Sequence, residues 1–152
     1  MTVFRCAHCN LALTQDLRLL AVLTERPLTH ARRAPATVPR GYYAIDPETA
    51  SRRFAKHPDR RWVARPFPWD AHTDRANPAS TYVINPDDGL NMVNHPDPRR
   101  LAGCCGSTGT AGPNQLCACG AEVATLISEC LEPRELHLHP AHSWQDRDQG
   151  AT

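Results

Sequence analysis

The chain has 152 residues, 41% of them hydrophobic, and its 17 basic side chains nearly cancel 16 acidic ones, for a formal net charge of +1. That length fits one domain with a modest core, and near-neutrality argues against a surface given over wholly to nucleic acid or anionic membrane. Seven cysteines without a basic-then-apolar leader in the opening residues predict reduced thiols in the cytoplasm, and so metal ligands before disulfides.

Taken in chain order, Thr2 to Arg5 is a predicted strand that runs straight into Cys6-Ala-His-Cys9, two sulfurs on a tight turn. Leu17 to Leu23 fits either a turn and a half of helix or a buried strand. No segment approaches the ~18 uninterrupted apolar residues of a membrane helix, so no membrane role is expected. Eleven of the fourteen prolines lie between Pro27 and Pro98, which excludes long helices and regular central strands from most of the middle. Residues 26–40 and 50–80 are accordingly predicted as loosely ordered Pro/Arg-rich loops. Residues 26–65 hold ten Arg or Lys against three acidic groups, whereas residues 70–152 hold five Arg against eleven, so the basic middle should lie near the acidic half.

Tyr43-Ala-Ile-Asp-Pro-Glu48 is echoed 39 residues later by Tyr82-Val-Ile-Asn-Pro-Asp87. Each is a short β-favouring run ended by an Asx-Pro turn signal, and the two are predicted as similar strands. Glu135-Leu-His-Leu-His-Pro140 has the same form; its alternation puts Leu136 and Leu138 on one face and leaves His137 and His139 exposed on the other, at a half-buried edge. Further strands are predicted at Arg99 to Cys105, Leu116 to Cys117 and Ala121 to Ile127, the first running through the turn-rich Ser107–Asn114 connection as a long hairpin; in the last, Val123, Ile127 and Cys130 or Leu131 also fit a helical period, and strand is preferred because the segment leaves a knuckle. The expected organisation is a single domain over 1–142 with a frayed tail at 143–152.

Cys117-Ala-Cys119-Gly120 near the end answers the first cysteine pair, and each is followed by a small-and-apolar run ending in threonine, Thr14 and Thr125. Two such halves make one tetrahedral four-thiolate site, so Cys6, Cys9, Cys117 and Cys119 are the predicted ligands of a structural Zn2+. The second pair is one residue shorter than the usual knuckle, which leaves Cys104 or Cys105 as an alternative fourth ligand. Joining the pairs closes a loop of 107 residues at about 4 kcal/mol of chain entropy. Structural zinc supplies roughly 10–16 kcal/mol in finger peptides, so the metal wins.

Three function classes follow. The first is a structural-zinc binding module that acts through its surface on a protein partner, with no catalytic set. The second is a thiol redox enzyme using the adjacent Cys104 and Cys105, although neither has a cationic neighbour in sequence to lower its pKa. The third is a nucleic-acid-binding regulator in which Arg52, Arg53, Lys56, Arg60, Arg61 and Trp62 hold phosphates and stack bases. His137, His139 and His142 also suggest a second metal cluster, against which stands the commoner case of exposed edge histidines.

The paired cysteines at both ends, with β segments between, resemble the β-tent group of zinc folds, which includes methionine sulfoxide reductase B, the Yippee proteins and the cereblon ligand-binding domain. Phe4-Arg-Cys6-Ala-His-Cys9-Asn-Leu-Ala-Leu13 is similar to the first knuckle of the reductase. That enzyme's Arg-Tyr-Cys-Ile-Asn motif has as its counterpart only Thr81-Tyr82-Val83-Ile84-Asn85, where Val83 replaces the nucleophile, so reductase activity is not implied. The Cys-Cys-Gly to Cys-Ala-Cys-Gly-Ala-Glu-Val-Ala-Thr stretch also resembles one found in small bacterial zinc-ribbon-like proteins without assigned activity. The resemblance implies a mainly β, zinc-ribbon or β-tent-like domain with a structural ion.

Overall fold

The computed structural model describes residues 1–22, 35–46, 81–103, 106–107, 109, 113–128, 133–139 and 143–147. The protein is mainly β, with no helix of seven or more residues among them. The strands are β1 (Thr2–Cys6), β2 (Arg18–Leu19), β3 (Tyr42–Asp46), β4 (Thr81–Ile84), β5 (Met92–Asn94), β6 (Gln115–Cys117), β7 (Glu122–Ile127), β8 (Glu135–Leu138) and β9 (Ser143–Arg147). Seven form a mixed sheet in the order β2-β3-β4-β8-β7-β6-β5, and β1 pairs with β9 in a separate antiparallel ribbon.

Alternation explains how the two layers meet. In β1, Thr2, Phe4 and Cys6 are buried while Val3 and Arg5 are only partly covered. The Phe4 ring meets Tyr43 edge-on at 5.1 Å between centroids and leans on Tyr82 at 4.9 Å. Around this trio Leu13, Leu17, Ile84, Leu136 and Leu138 complete a core that also contains Cys6 and Cys117. The first knuckle is therefore anchored in apolar packing, and its inner sulfur cannot wander.

The two echoing segments are neighbours. β3 and β4 pair antiparallel about their central residues: Ala44 faces its counterpart Val83, while Tyr43 lies opposite Ile84 and Ile45 opposite Tyr82, and both tyrosines reach the same core. β4 ends at Ile84, two residues before Pro86, which has no N–H to offer a partner strand. After β4, Asn85 caps a 3-10 turn over Pro86–Asp88 by accepting the Asp87 N–H. The buried Asp88 carboxylate then takes the Gly41 N–H at 2.8 Å and the Arg40 Nε–H at 3.4 Å, fixing the approach to β3.

Four sequence expectations are corrected. The predicted strand from Arg99 does not form where it is described: Asp97 accepts the Arg99 N–H, Pro98 starts the turn, and Pro98–Leu101 is 3-10 helix, Cys104 and Cys105 lying outside the described residues. The strand that pairs with β6 is β5, upstream of that turn. Among the described residues of the segment from Leu17, only the two-residue β2 is a strand, parallel to β3, with Leu17 buried beside it. His137 and His139 are not exposed on an edge, because β8 lies between β4 and β7 and both side chains are buried. Ser143–Arg147 is no frayed tail but β9, in register with all of β1 from Thr2↔Arg147 to Cys6↔Ser143.

Ala121 to Ile127 is confirmed as strand. At its pairing with β6 the register shifts between Gln115 and Leu116, and the fully buried Asn114 side chain substitutes for backbone there. Its Oδ1 accepts the Leu126 N–H at 2.7 Å and its Nδ2 donates to the Leu126 carbonyl at 3.0 Å and to Ser107 Oγ. The central ring of the core gives the clearest stability test. Phe4→Ala should cost about 3–5 kcal/mol, read as a lower urea midpoint with an unchanged slope; a loss under 1 kcal/mol would contradict this account of the layer contact.

Candidate metal centre

β1 ends at Cys6 and β6 ends at Cys117, so each inner sulfur is delivered by a strand and is at most 1% exposed. Each chain then reverses over a tight turn that carries an exposed outer cysteine, Cys9 or Cys119. The turns are closed alike. In the first, Asn10 N–H donates to the Cys6 carbonyl and Cys6 N–H to the Leu11 carbonyl, both at 2.9 Å; in the second, Gly120 N–H donates to the Cys117 carbonyl and Cys117 N–H to the Ala121 carbonyl, both at 2.8 Å. The second turn is the first with one residue removed, which explains how Cys-x-Cys and Cys-x-x-Cys can present matching pairs of sulfurs.

The residue after each outer cysteine takes the left-handed region, Asn10 at φ 68° and Gly120 at φ 92°. Glycine and asparagine enter that region at least cost. The His8 N–H points at Cys6 Sγ at 3.4 Å, and the Cys119 N–H hydrogen-bonds Cys117 Sγ. Such N–H groups stabilise sulfur as thiolate.

The four Sγ atoms lie within 4.8 Å of one another. Cys9 and Cys117 approach to 3.5 Å and Cys6 and Cys119 to 3.8 Å, always across the two turns. A disulfide needs about 2.05 Å, so these are not bonded pairs. A tetrahedral ion with bonds of about 2.3 Å to sulfur has edges of about 3.8 Å. The four cysteines can therefore hold a metal ion with little movement. Without an ion the protonated thiol is favoured at Cys117: burial pushes it from its usual 9.0 up to about 12, against the pull of the Cys119 N–H, and the Cys9, Cys119 and Cys6 sulfurs add to the rise.

Residues outside the cysteine motifs hold the turns together. Asn91, at φ 56°, donates from Nδ2 to the Ala12 carbonyl at 2.8 Å, and its own carbonyl accepts the Ala118 N–H from between the two cysteines of the second turn. Beside it Leu90 N–H donates to the Leu13 carbonyl at 2.7 Å. The segment 90–91 thus bridges the start and end of the chain next to the sulfurs. Sequence reading missed Asn91; a lone Gly89-Leu-Asn91 after a turn carries no metal signature, and only the fold puts it there.

The structure brings together all four predicted ligands. Cys104, Cys105 and Cys130 lie outside the described residues, as do Arg52, Arg53, Lys56, Arg60, Arg61 and Trp62. His8 is exposed, with its backbone and not its ring turned to the sulfurs. Among the described residues no other group of three or more His, Cys, Asp or Glu side chains converges on one point. Nor is any helix among them long and apolar enough to cross a membrane. Comparison with known protein families, with curated proteins and with solved structures finds no match for the chain.

Asn91 separates backbone strain from side-chain bonding. Asn91→Gly keeps the left-handed conformation and loses one hydrogen bond, which should cost about 0.5–1.5 kcal/mol. Asn91→Ala should cost about 1 kcal/mol more, because alanine resists positive φ. Thermal or urea unfolding of the three proteins checks the order; alanine tolerated as well as glycine would refute the strut.

Proposed function

We propose that Cys6, Cys9, Cys117 and Cys119 hold one structural Zn2+, and that the protein is a binding module acting on a protein partner through its surface. The observation that carries the metal assignment is the cross-turn sulfur spacing of 3.5 and 3.8 Å, close to the edge of a zinc tetrathiolate. The donor set fits the ion: four thiolates and no hard oxygen select zinc over magnesium or calcium. Four sulfurs also fill a tetrahedral shell, which leaves no position for a substrate or an activated water. The site therefore serves the fold rather than a reaction.

The surface supports the second half of the reading. Among the described residues β2 and β5 end the sheet on either side, and each carries an exposed apolar residue, Leu19 and Val93, both 56% exposed. Unpaired strand edges with apolar side chains are places where another chain can add. Cytoplasmic location belongs to the same proposal, since four reduced thiols need a reducing compartment. The kinship with zinc-ribbon and β-tent proteins is likewise proposed on the paired knuckles alone.

Cobalt substitution tests the ligand set. Co2+ in the wild-type protein should show intense near-ultraviolet sulfur-to-metal absorption together with tetrahedral visible bands, and Cys9→Ser or Cys119→Ser should each sharply reduce the former. Undiminished sulfur absorption in both variants would refute the assignment. Metal binding must also expel the thiol protons, so the apparent affinity should rise with pH by about tenfold per unit for each proton released. With Cys117 titrating only at about 12 in the free protein, that rise should persist above pH 9; competition with a chelator of known pH response measures it.

A further inference from the structure

The sheet has a second face that the thiolate site does not use. Glu135, His137 and His139 alternate with the core leucines of β8 and so share the face opposite the Phe4 cluster. All three are buried, and the Glu135 and His137 side chains are 1% and 0% exposed. His137 Nε2 lies 2.9 Å from Glu135 Oε1. The second carboxylate oxygen accepts the Thr37 hydroxyl at 2.8 Å, and Thr37 is itself seated by its N–H on the Arg134 carbonyl. Both Glu135 oxygens thus lie within hydrogen-bonding distance of a side chain on this face, Oε2 of the Thr37 hydroxyl and Oε1 of the imidazole.

Across from His137 on β7 stands Thr125. Residues directly opposite in an antiparallel pair point to the same face. Thr125 is 1% exposed, and among the described residues its Oγ1 is the only fully buried side-chain N or O atom without a hydrogen-bond partner. An orphaned hydroxyl costs about 1–3 kcal/mol, and valine would fill the same space without it. A carboxylate, an imidazole nitrogen and an unsatisfied hydroxyl thus meet on one buried face, whose adjoining surface is the apolar Val38, Ala44 and Val83.

Replacing both partners of a buried hydrogen bond by apolar groups of the same shape can be nearly neutral, so stability alone does not account for this group. We propose that Glu135, His137 and Thr125 form a second metal site for a first-row divalent ion bound by nitrogen and oxygen, separate from the four thiols and not dependent on their assignment. Donor atoms 2.9 Å apart, each about 2.0–2.2 Å from an ion, subtend close to a right angle, the relation of neighbouring ligands in five- or six-coordination. Imidazole with oxygen donors suits Zn2+, Fe2+, Co2+ or Ni2+, and excludes the soft-ligand preference of the cysteine cluster. The Thr37 hydroxyl then orients the carboxylate from outside, a role usual for partners of metal-binding groups. The ion would satisfy the orphaned oxygen and neutralise the buried carboxylate together.

Zinc titration of the metal-stripped full chain, by chelator competition, should give two equivalents per molecule. With Co2+ as the probe, the Cys9→Ser/Cys119→Ser protein should retain one equivalent whose spectrum lacks strong sulfur-to-metal absorption. His137→Gln should lose that equivalent while keeping the sulfur band, and Thr125→Val should weaken it at least tenfold. A single equivalent in wild type overturns the proposal. If His137→Gln does not fold, Thr125→Val decides: an unchanged second equivalent with a higher melting temperature means an uncompensated hydroxyl and no ligand, which also overturns it.

Discussion

The structure depends on bringing sulfurs from the two ends of the chain to one point. Cys9 and Cys117 are 108 residues apart in sequence and 3.5 Å apart in space, and closing so long a loop costs about 4 kcal/mol of chain entropy. A second link shares the load. β9 pairs with the whole of β1, so the strand that delivers Cys6 is held on one side by the chain's last strand and on the other by its own return through Ala12 and Leu17. Burial then fixes its depth, because Phe4 two residues earlier is locked between two tyrosines. Head and tail are thus joined by hydrogen bonds and packing as well as by thiols, and an ion would be fastening a geometry that the sheet already approximates.

The two turns reach that geometry by unequal routes. A strand end delivers each inner cysteine into the core, where it cannot be solvated, and a left-handed residue turns each outer cysteine to the surface. The result is two buried and two exposed sulfurs, whose contacts of 3.5 and 3.8 Å both run across the two turns. Cross-pairing matters mechanically. Displacing one turn would open both short sulfur contacts, so the Asn91 bridge between the turns guards the whole cluster with a side-chain amide and a carbonyl.

Legibility in the sequence followed locality. The cysteine pairs could be read because ligand spacing is a local property, and β3 and β4 because an apolar run ended by Asx-Pro is too. Even so, that β3 and β4 are partners came only from the fold. The missing residue in Cys-x-Cys raised a doubt that the hydrogen bonds of the second turn remove. What could not be read was context. Period-two alternation in Glu135-Leu-His-Leu-His139 looks the same on an edge as in the middle of a sheet, so the histidines were placed in water when β4 and β7 bury them. Arg99 to Cys105 looked extended because the cap at Asp97 competes locally with the strand, and the cap prevailed. The polar Ser143–Arg147 became a strand because β1 had an unpaired edge to fill.

The register of the sheet shows why the polar row inside it is held so firmly. Ala44, Val83, His137 and Thr125 lie in one row across β3, β4, β8 and β7, and Tyr43, Ile84, Leu136 and Leu126 form the next row, facing the opposite way. A strand that slips by one residue exchanges its two faces. Turning His137 out of the interior by such a slip would therefore carry Leu136 and Leu138 out of the Phe4 core, at a cost of several kcal/mol. The apolar rows need no metal to stay buried; they are what keeps a carboxylate and an imidazole, groups that would otherwise seek water, at a defined separation in a dry place. Precision on the polar face is in this sense a property of the apolar one, and the chemistry available at Glu135 and His137 is fixed by side chains that never touch it.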